Sequence, residues 1–282
     1  MYFALAIVNL IVLSIFIGLI LKSGTILGQK SIIDLLFSSS WLPSVGEFGL
    51  FPYIIGTLSV TALAMIIAVP VCILSAIYIS EYASSRVRRI VSPIVDLLAG
   101  IPSVVYGLWG VLTIVPIVHT LGQMLGMATT GYSLLAGGVT LAIMVFPIII
   151  SISAEVFRAV PIEARETTLA LGATKWEMVK HVILKSALPG IVAAVVFGFA
   201  RAFGETMAVI MVVGNVARIP TSLFDPVYPI PALIANNYGE IMSIPLYDSA
   251  LMFAALVLFA VVAAFTILAH FSLSRIKRRL AL

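Results

Sequence analysis

Six long apolar stretches, separated by shorter polar segments, organise the chain. They run approximately from Tyr2 to Leu21, Ile54 to Ile79, Ile90 to Val118, Leu134 to Ala154, Pro189 to Val213 and Ala250 to His270. Each matches or exceeds the roughly 20 residues a helix needs to cross the hydrocarbon core of a bilayer. Apolar residues occupy every side of these stretches. The alternation of a membrane barrel strand is missing, so the pattern predicts an all-α membrane protein with six spanning helices. No basic segment precedes the first stretch, no small-residue cleavage site follows it, and it is long for the core of a signal peptide. It is expected to be a retained span. No repeat or low-complexity tract divides the chain, so residues 1–282 read as a single membrane domain.

Composition narrows the class. Hydrophobic residues make up 62% of the 282 and charged residues 10%, with a mean hydropathy of +1.20. A soluble domain is about 45–50% apolar and about 25% charged. The excess excludes an ordinary cytosolic globule, a disordered chain and a nucleic-acid-binding domain. The single cysteine, Cys72, lies in an apolar run and reads as a small hydrophobe.

Charge placement sets an expected orientation. Arg86, Arg88 and Arg89 follow the second stretch, and Arg158, Arg165, Lys175, Lys180 and Lys185 follow the fourth. Arg275, Lys277, Arg278 and Arg279 follow the sixth. Together these are twelve of the sixteen cations. The positive-inside rule puts those segments and both termini in the cytoplasm. Lys22, Lys30 and Arg218 then fall outside. Trp41 and Phe48 read as interface anchors in the outer segment before the second span. The proline-rich segment from Gly214 to Tyr247 reads as an ordered, non-helical cover.

Enzymatic motifs are missing. His119, His181 and His270 are far apart, and neither H-E-x-x-H nor G-x-S-x-G occurs. The run from Gly24 to Ser31 resembles a phosphate loop, but Gln29 separates glycine from lysine and no strand precedes it. ATP hydrolysis is therefore not expected on this chain.

The cytoplasmic segment from Arg158 to Pro189 is long enough to fold. Pro161 suits a helix start, and Ile162 to Leu171 reads as a helix with Glu163 and Glu166 in its early turns. Gly172 ends it. Thr174 and Glu177 form a T-x-x-E capping box that opens a second helix. Trp176, Val179 and Ile183 form an apolar stripe on that helix. The residues alone leave two readings: an amphipathic hairpin in the headgroup layer, or a docking surface for a cytoplasmic partner.

The run Glu166-Thr-Thr-Leu-Ala-Leu-Gly172-Ala-Thr-Lys-Trp176 resembles the EAA loop of ABC-importer permeases. Glu166 and Gly172 match the acidic and glycine positions of that motif. Thr167 and Thr168 replace its usual alanines, and Lys185 stands where proline is common. Three further runs are similar to signatures of phosphate-importer permeases, and of their PstC-type subunit in particular. They are Tyr78-Ile-Ser-Glu-Tyr82-Ala, Asp96 to Gly107, and Arg201-Ala-Phe-Gly-Glu-Thr-Met-Ala-Val209. The resemblance implies a type I importer permease fold with a cytoplasmic coupling-helix hairpin in the cytoplasmic membrane. It implies coupling to an ATPase through Glu163, Glu166, Leu171, Gly172, Ala173, Thr174 and Trp176. It also implies a PstA-type permease partner, an ATPase subunit dimer and an extracytoplasmic phosphate-binding protein, with lipid around the spans. ATP and magnesium would bind the partner ATPase, and no cofactor would bind this chain.

Ionisable residues at span depth cost about 2.5–3.5 kcal/mol each on insertion scales, so they need a reason. Asp96, Arg201 and Glu205 are the candidates. Asp96 is expected to pair with Arg86, Arg88 or Arg89. Arg201 and Glu205, four apart, share a face of a continuous helix at mid-span in this reading. A guanidinium suits a phosphate oxyanion, so Arg201 is a candidate for the anion path. Glu205 would neutralise it in the empty state or oppose the anion. The competing reading is a structural ion pair. Ser103, beside Pro102, is a candidate lining residue or ordinary packing. Other oxyanion permeases, for sulfate, molybdate or tungstate, share EAA loops and stay as alternatives. A non-transport scaffold or an intramembrane protease is more distant.

Overall fold

The computed structural model describes residues 2–239 and 245–280, with side-chain burial placed for 6–239 and 245–267. The basic side chains of the C-terminal tail, Arg275 to Arg279, lie outside the described side chains. The chain forms the expected helical bundle. Its first span is α1 (Tyr2–Leu27), and a short α2 (Ile32–Phe37) and a two-stranded hairpin, β1 (Trp41–Leu42) with β2 (Glu47–Phe48), follow. Span 2 is α3 (Phe51–Ile77), prolonged by a π-helical turn over Tyr78–Tyr82. Next come α4 (Ser85–Ala99), then α5 (Ser103–Trp109), a π turn (Gly110–Ile114) and α6 (Val115–Met124). Span 4 is α7 (Leu134–Arg158), followed by α8 (Ile162–Ala170). Span 5 joins α9 (Lys175–Met178), a π turn (Val179–Ile183) and α10 (Leu184–Phe203). The chain ends with α11 (Met207–Val212), α12 (Ile230–Asn237) and α13 (Pro245–Leu280), which carries span 6.

Six helices among the described residues are long and apolar enough to cross a membrane. Two of the expected boundaries move. The third span covers Ser103–Met124, and the residues from Ile90 belong to α4, a separate amphipathic helix. Gly100 ends α4, and Pro102 sits in an extended conformation between the two helices. Hydropathy misses this break because the residues on both sides of it are apolar. The fifth span starts at Lys175, so the second helix of the supposed hairpin is the first turn of a transmembrane helix. Of the expected hairpin, only α8 is a helix separate from the spans. Hydropathy drops around Lys180–Lys185, but nothing there stops a helix.

Three apolar clusters hold the bundle. The central one joins spans 2, 3 and 4 with α11, through Val60, Ala64, Val115, Leu141, Val145 and Val212. The second packs the ends of spans 2, 4 and 5 nearest α8 around Ile77, Phe157, Val179 and Ile183. The outer one is aromatic. Trp41 meets Phe48, Tyr53 and Tyr247 with ring centroids 5.5–6.0 Å apart, and Phe48 is almost fully buried. Phe48 therefore belongs to an internal cluster, and Trp41 packs half-buried at its edge. Edge-to-face geometry adds to their area burial.

The outer ends are closed by polar ties. The buried Ser249 hydroxyl donates to Lys22 O at 2.8 Å and accepts from Ile26 N at 3.0 Å, joining spans 6 and 1. The proline-rich outer segment is non-helical up to Pro229, as expected, but then forms α12. Pro229 and Pro231 stand at that helix's start, where a missing N–H costs nothing. Carbonyls of this segment accept the otherwise unpaired first N–H groups of span 4. Leu134 N donates to Asp225 O and Leu135 N to Leu223 O, both at 2.8 Å.

Span 3 and α11 approach through Gly107. A Cβ there would lie 2.8 Å from Met211 Sδ and 3.0 Å from Ala208 Cα. Gly107→Leu is expected to force these helices apart and cost about 1–3 kcal/mol. Thermal unfolding of the purified protein checks this; an unchanged midpoint would contradict the described contact.

Candidate functional site

Two regions carry the sequence candidates. The first is the loop between spans 4 and 5. The α8 helix buries none of its residues, and Glu163 and Glu166 point to solvent. It ends in a turn at Gly172, whose φ of +87° favours glycine. Leu171, 84% exposed, and Trp176, 52% exposed, flank that turn. Ala173 is half-buried and Thr174 exposed. The expected capping box is present. Glu177 N donates to the Thr174 hydroxyl at 3.3 Å, and the Glu177 carboxylate accepts from Thr174 N at 2.7 Å. Trp176 does not join Val179 and Ile183 in a buried stripe, since those two are fully buried and Trp176 is not. An exposed leucine and tryptophan beside one turn suit a partner's groove better than water.

The second region surrounds Arg201. The structure breaks the helix that was expected to carry Arg201 and Glu205 together. Span 5 stops at Phe203, Gly204 follows, and α11 begins at Met207. The Glu205 carboxylate turns onto this break and accepts from Ala208 N at 3.2 Å. It forms no ion pair with Arg201. Among the described residues, Arg201 has no ion pair or hydrogen bond, and it is exposed. Its charge lies within electrostatic reach of the Tyr106 phenol. That phenol donates to Leu98 O at 2.9 Å, across the Gly100–Pro102 break. Ser103 is half-buried at the start of α5. Glu205 also borders a small crevice with Thr57, Thr61 and Pro229. A bare guanidinium within a membrane bundle must face water, a ligand or another subunit.

Asp96 departs from expectation. It is exposed on α4 and, among the described residues, pairs with none of Arg86, Arg88 and Arg89. It borders a crevice with Ser92, Glu155 and Arg158. Arg88 instead donates to Ile79 O and Ser80 O at 3.1 and 2.7 Å.

With this geometry in place, kinship is informative. The family model for the binding-protein-dependent transport system inner membrane component matches residues 68–281. The chain belongs to that family. It is 37% identical over 250 residues to the probable ABC transporter permease protein YqgH of Bacillus subtilis, covering 88% of this chain and 80% of the relative. It is 36% identical over 262 residues to the phosphate transport system permease protein PstC of Xylella fastidiosa, with the same coverage of each. Among solved structures, a chain of the bacterial alginate ABC transporter in complex with its pentasaccharide-bound periplasmic protein superposes with a TM-score of 0.68. The two are 18% identical, with 98% of this chain and 94% of that one covered. A chain of the inward-facing MetNI methionine ABC transporter gives 0.59 at 21% identity, covering 81% and 94%. These two likenesses establish the fold. The protein is a multi-pass membrane permease of an ABC importer. ATP hydrolysis belongs to a separate subunit, and a substrate-binding protein is part of such a system.

Sequence reasoning gave no role to Glu81 or to Arg165. They form an ion pair of 3.2 Å, with the Glu81 side chain 5% exposed. A carboxylate one residue from the end of an apolar run was the available signal, but sequence alone names no partner for it.

Two predictions concern the ordered turns. Thr174→Ala removes one half of the capping box and should destabilise the start of span 5 by about 1 kcal/mol. Faster hydrogen exchange over residues 174–178 would report it, and unchanged protection would count against the capping role. On the outer face, the N–H of Thr221 holds the Asp225 carboxyl below its ordinary range, aided by the Thr221 hydroxyl, Ser222 N and Arg218. Because the folded-state value is depressed, this turn is at full strength above the ordinary carboxylate range. It loosens as pH falls through the lowered value. Exchange over residues 216–227 should therefore accelerate on acidification, and Asp225→Asn should abolish that pH dependence.

Proposed function

We propose that this chain is the PstC-type permease subunit of an importer that carries inorganic phosphate inward across the cytoplasmic membrane. The observation that carries this reading is extended similarity to phosphate transport permeases named PstC. These include the protein of Mesorhizobium japonicum, at 37% identity over 259 residues. The bare Arg201 beside Tyr106 is consistent with it, since a guanidinium offers paired, charge-assisted hydrogen bonds to a tetrahedral oxyanion.

In this reading Arg201 attracts the anion, and Glu205 shapes the path by holding the start of α11. Ser103 lines the path near the break before α5. A second, PstA-type permease subunit completes the pathway. Glu163, Glu166, Leu171, Gly172, Ala173, Thr174 and Trp176 seat the loop on an ATPase dimer that binds ATP and magnesium. An extracytoplasmic phosphate-binding protein delivers substrate to the outer face. The distribution of Lys and Arg supports cytoplasmic termini. Alternating access requires contacts that differ between the inward-open and outward-open states, and ATP binding on the partner biases that equilibrium.

Uptake of labelled phosphate into vesicles that carry the assembled complex tests the reading. Uptake should require ATP and resist excess sulfate or molybdate. Arg201→Ala in an assembled complex should lower it about ten-fold or more, the scale of one or two lost charge-assisted hydrogen bonds. Competition by sulfate or molybdate would reassign the substrate, and normal uptake by Arg201→Ala would remove that residue from the path.

A further inference from the structure

The cytoplasmic end of span 2 is gripped by three cations from three different elements. Arg88 of α4 donates to the free carbonyls of Ile79 and Ser80. Arg165 of α8 pairs with Glu81, whose Oε1 also accepts from the Ser80 hydroxyl at 2.7 Å. Lys175, at the start of span 5, stands 4.8 Å above the Tyr82 ring. Arg165 also donates to Phe157 O at the end of span 4. The gripped segment, Tyr78–Tyr82, is a π turn, a form often found at functional positions.

The position of α8 depends on this grip. The α8 helix buries no residue fully and lies against the start of span 5, so apolar packing holds it weakly. Thr168, its other polar side chain with a bond, donates to Ala164 O of the same helix. Among the described residues, the bonds of Arg165 are the strong polar ties from α8 to the spans. Besides the short connections 159–161 and 171–174, these ties are the route by which displacement of α8 reaches spans 2 and 4.

We propose that the Glu81–Arg165 pair is the mechanical link that delivers displacement of α8 to spans 2 and 4. Both act as positioning residues for transport and contact neither substrate nor nucleotide. The inference rests on the permease reading above, with α8 as the element the ATPase moves.

The test uses the complete complex. In otherwise parental protein, spin labels at Thr167 on α8 and Leu74 on span 2 report their separation. The native Cys72 is fully buried and stays unlabelled. The separation should be the same in the nucleotide-free and ATP-trapped states. A change of more than about 4 Å, larger than an ordinary helix shift of 1–2 Å, would overturn the link. In parallel, Glu81→Gln and Arg165→Gln are assayed for phosphate uptake and ATP hydrolysis. Each should lower uptake per ATP about five-fold or more while hydrolysis continues. The double variant should be no worse than either single one, because both remove the same tie. Parental uptake per ATP in either variant, or additive losses, would refute the proposal. If a variant fails to assemble, the parental distance still decides. If the parental complex hydrolyses ATP without importing phosphate, the substrate reading fails, while the distance measurement still judges the link.

Discussion

A bilayer offers no water to an unpaired N–H or C=O, so every interruption of a spanning helix must be repaired by protein. That requirement organises the polar residues of this chain. Where α4 ends before Pro102, the Tyr106 hydroxyl reaches back to Leu98 O. Where span 5 ends at Gly204, the Glu205 carboxylate takes the Ala208 N–H. Where span 2 ends, Arg88 takes the carbonyls of Ile79 and Ser80. Where span 4 begins, the carbonyls of Leu223 and Asp225 fold over its first N–H groups. The few polar side chains of an apolar chain thus mark its helix breaks.

The same repairs bring chemistry to two places. Tyr106 and Glu205 close two breaks, and Arg201, on the last turn of span 5, has no side-chain partner among the described residues. The repair at the end of span 2 lies where α4, α8 and the start of span 5 converge. Local backbone satisfaction and, on the reading proposed above, transport draw on the same residues.

The large features were legible because they depend on length and average polarity. Six apolar runs became six candidate spans, and the Thr174–Glu177 capping box and the turn at Gly172 formed where sequence placed them. Failures came where apolar residues continue through a change of structure. Ile90 to Val118 hides a break at Pro102, and the run ending at Val213 hides another at Gly204. Aromatic residues misled for a related reason. Trp41 and Phe48 have the composition of an interface belt, but they bury one another with Tyr53 and Tyr247. Partners distant in sequence, such as Glu81 and Arg165, become visible only after folding. The Arg201–Glu205 spacing suggested a shared helix face, and one glycine between them removed it.

Span 5, Lys175 to Phe203, runs for 29 residues as one continuous helix, with a π turn at Val179–Ile183 and Pro189 within it. At 1.5 Å per residue that is about 43 Å in all, and about 39 Å from Lys175 beside the turn to the bare Arg201. A tilt of about 5° around its midpoint would shift each end by about 2 Å in opposite directions. Such a lever carries motion through the bilayer without any change in its own hydrogen bonding. The exposed turn at Gly172 and the exposed Arg201 are then at opposite ends of one helix.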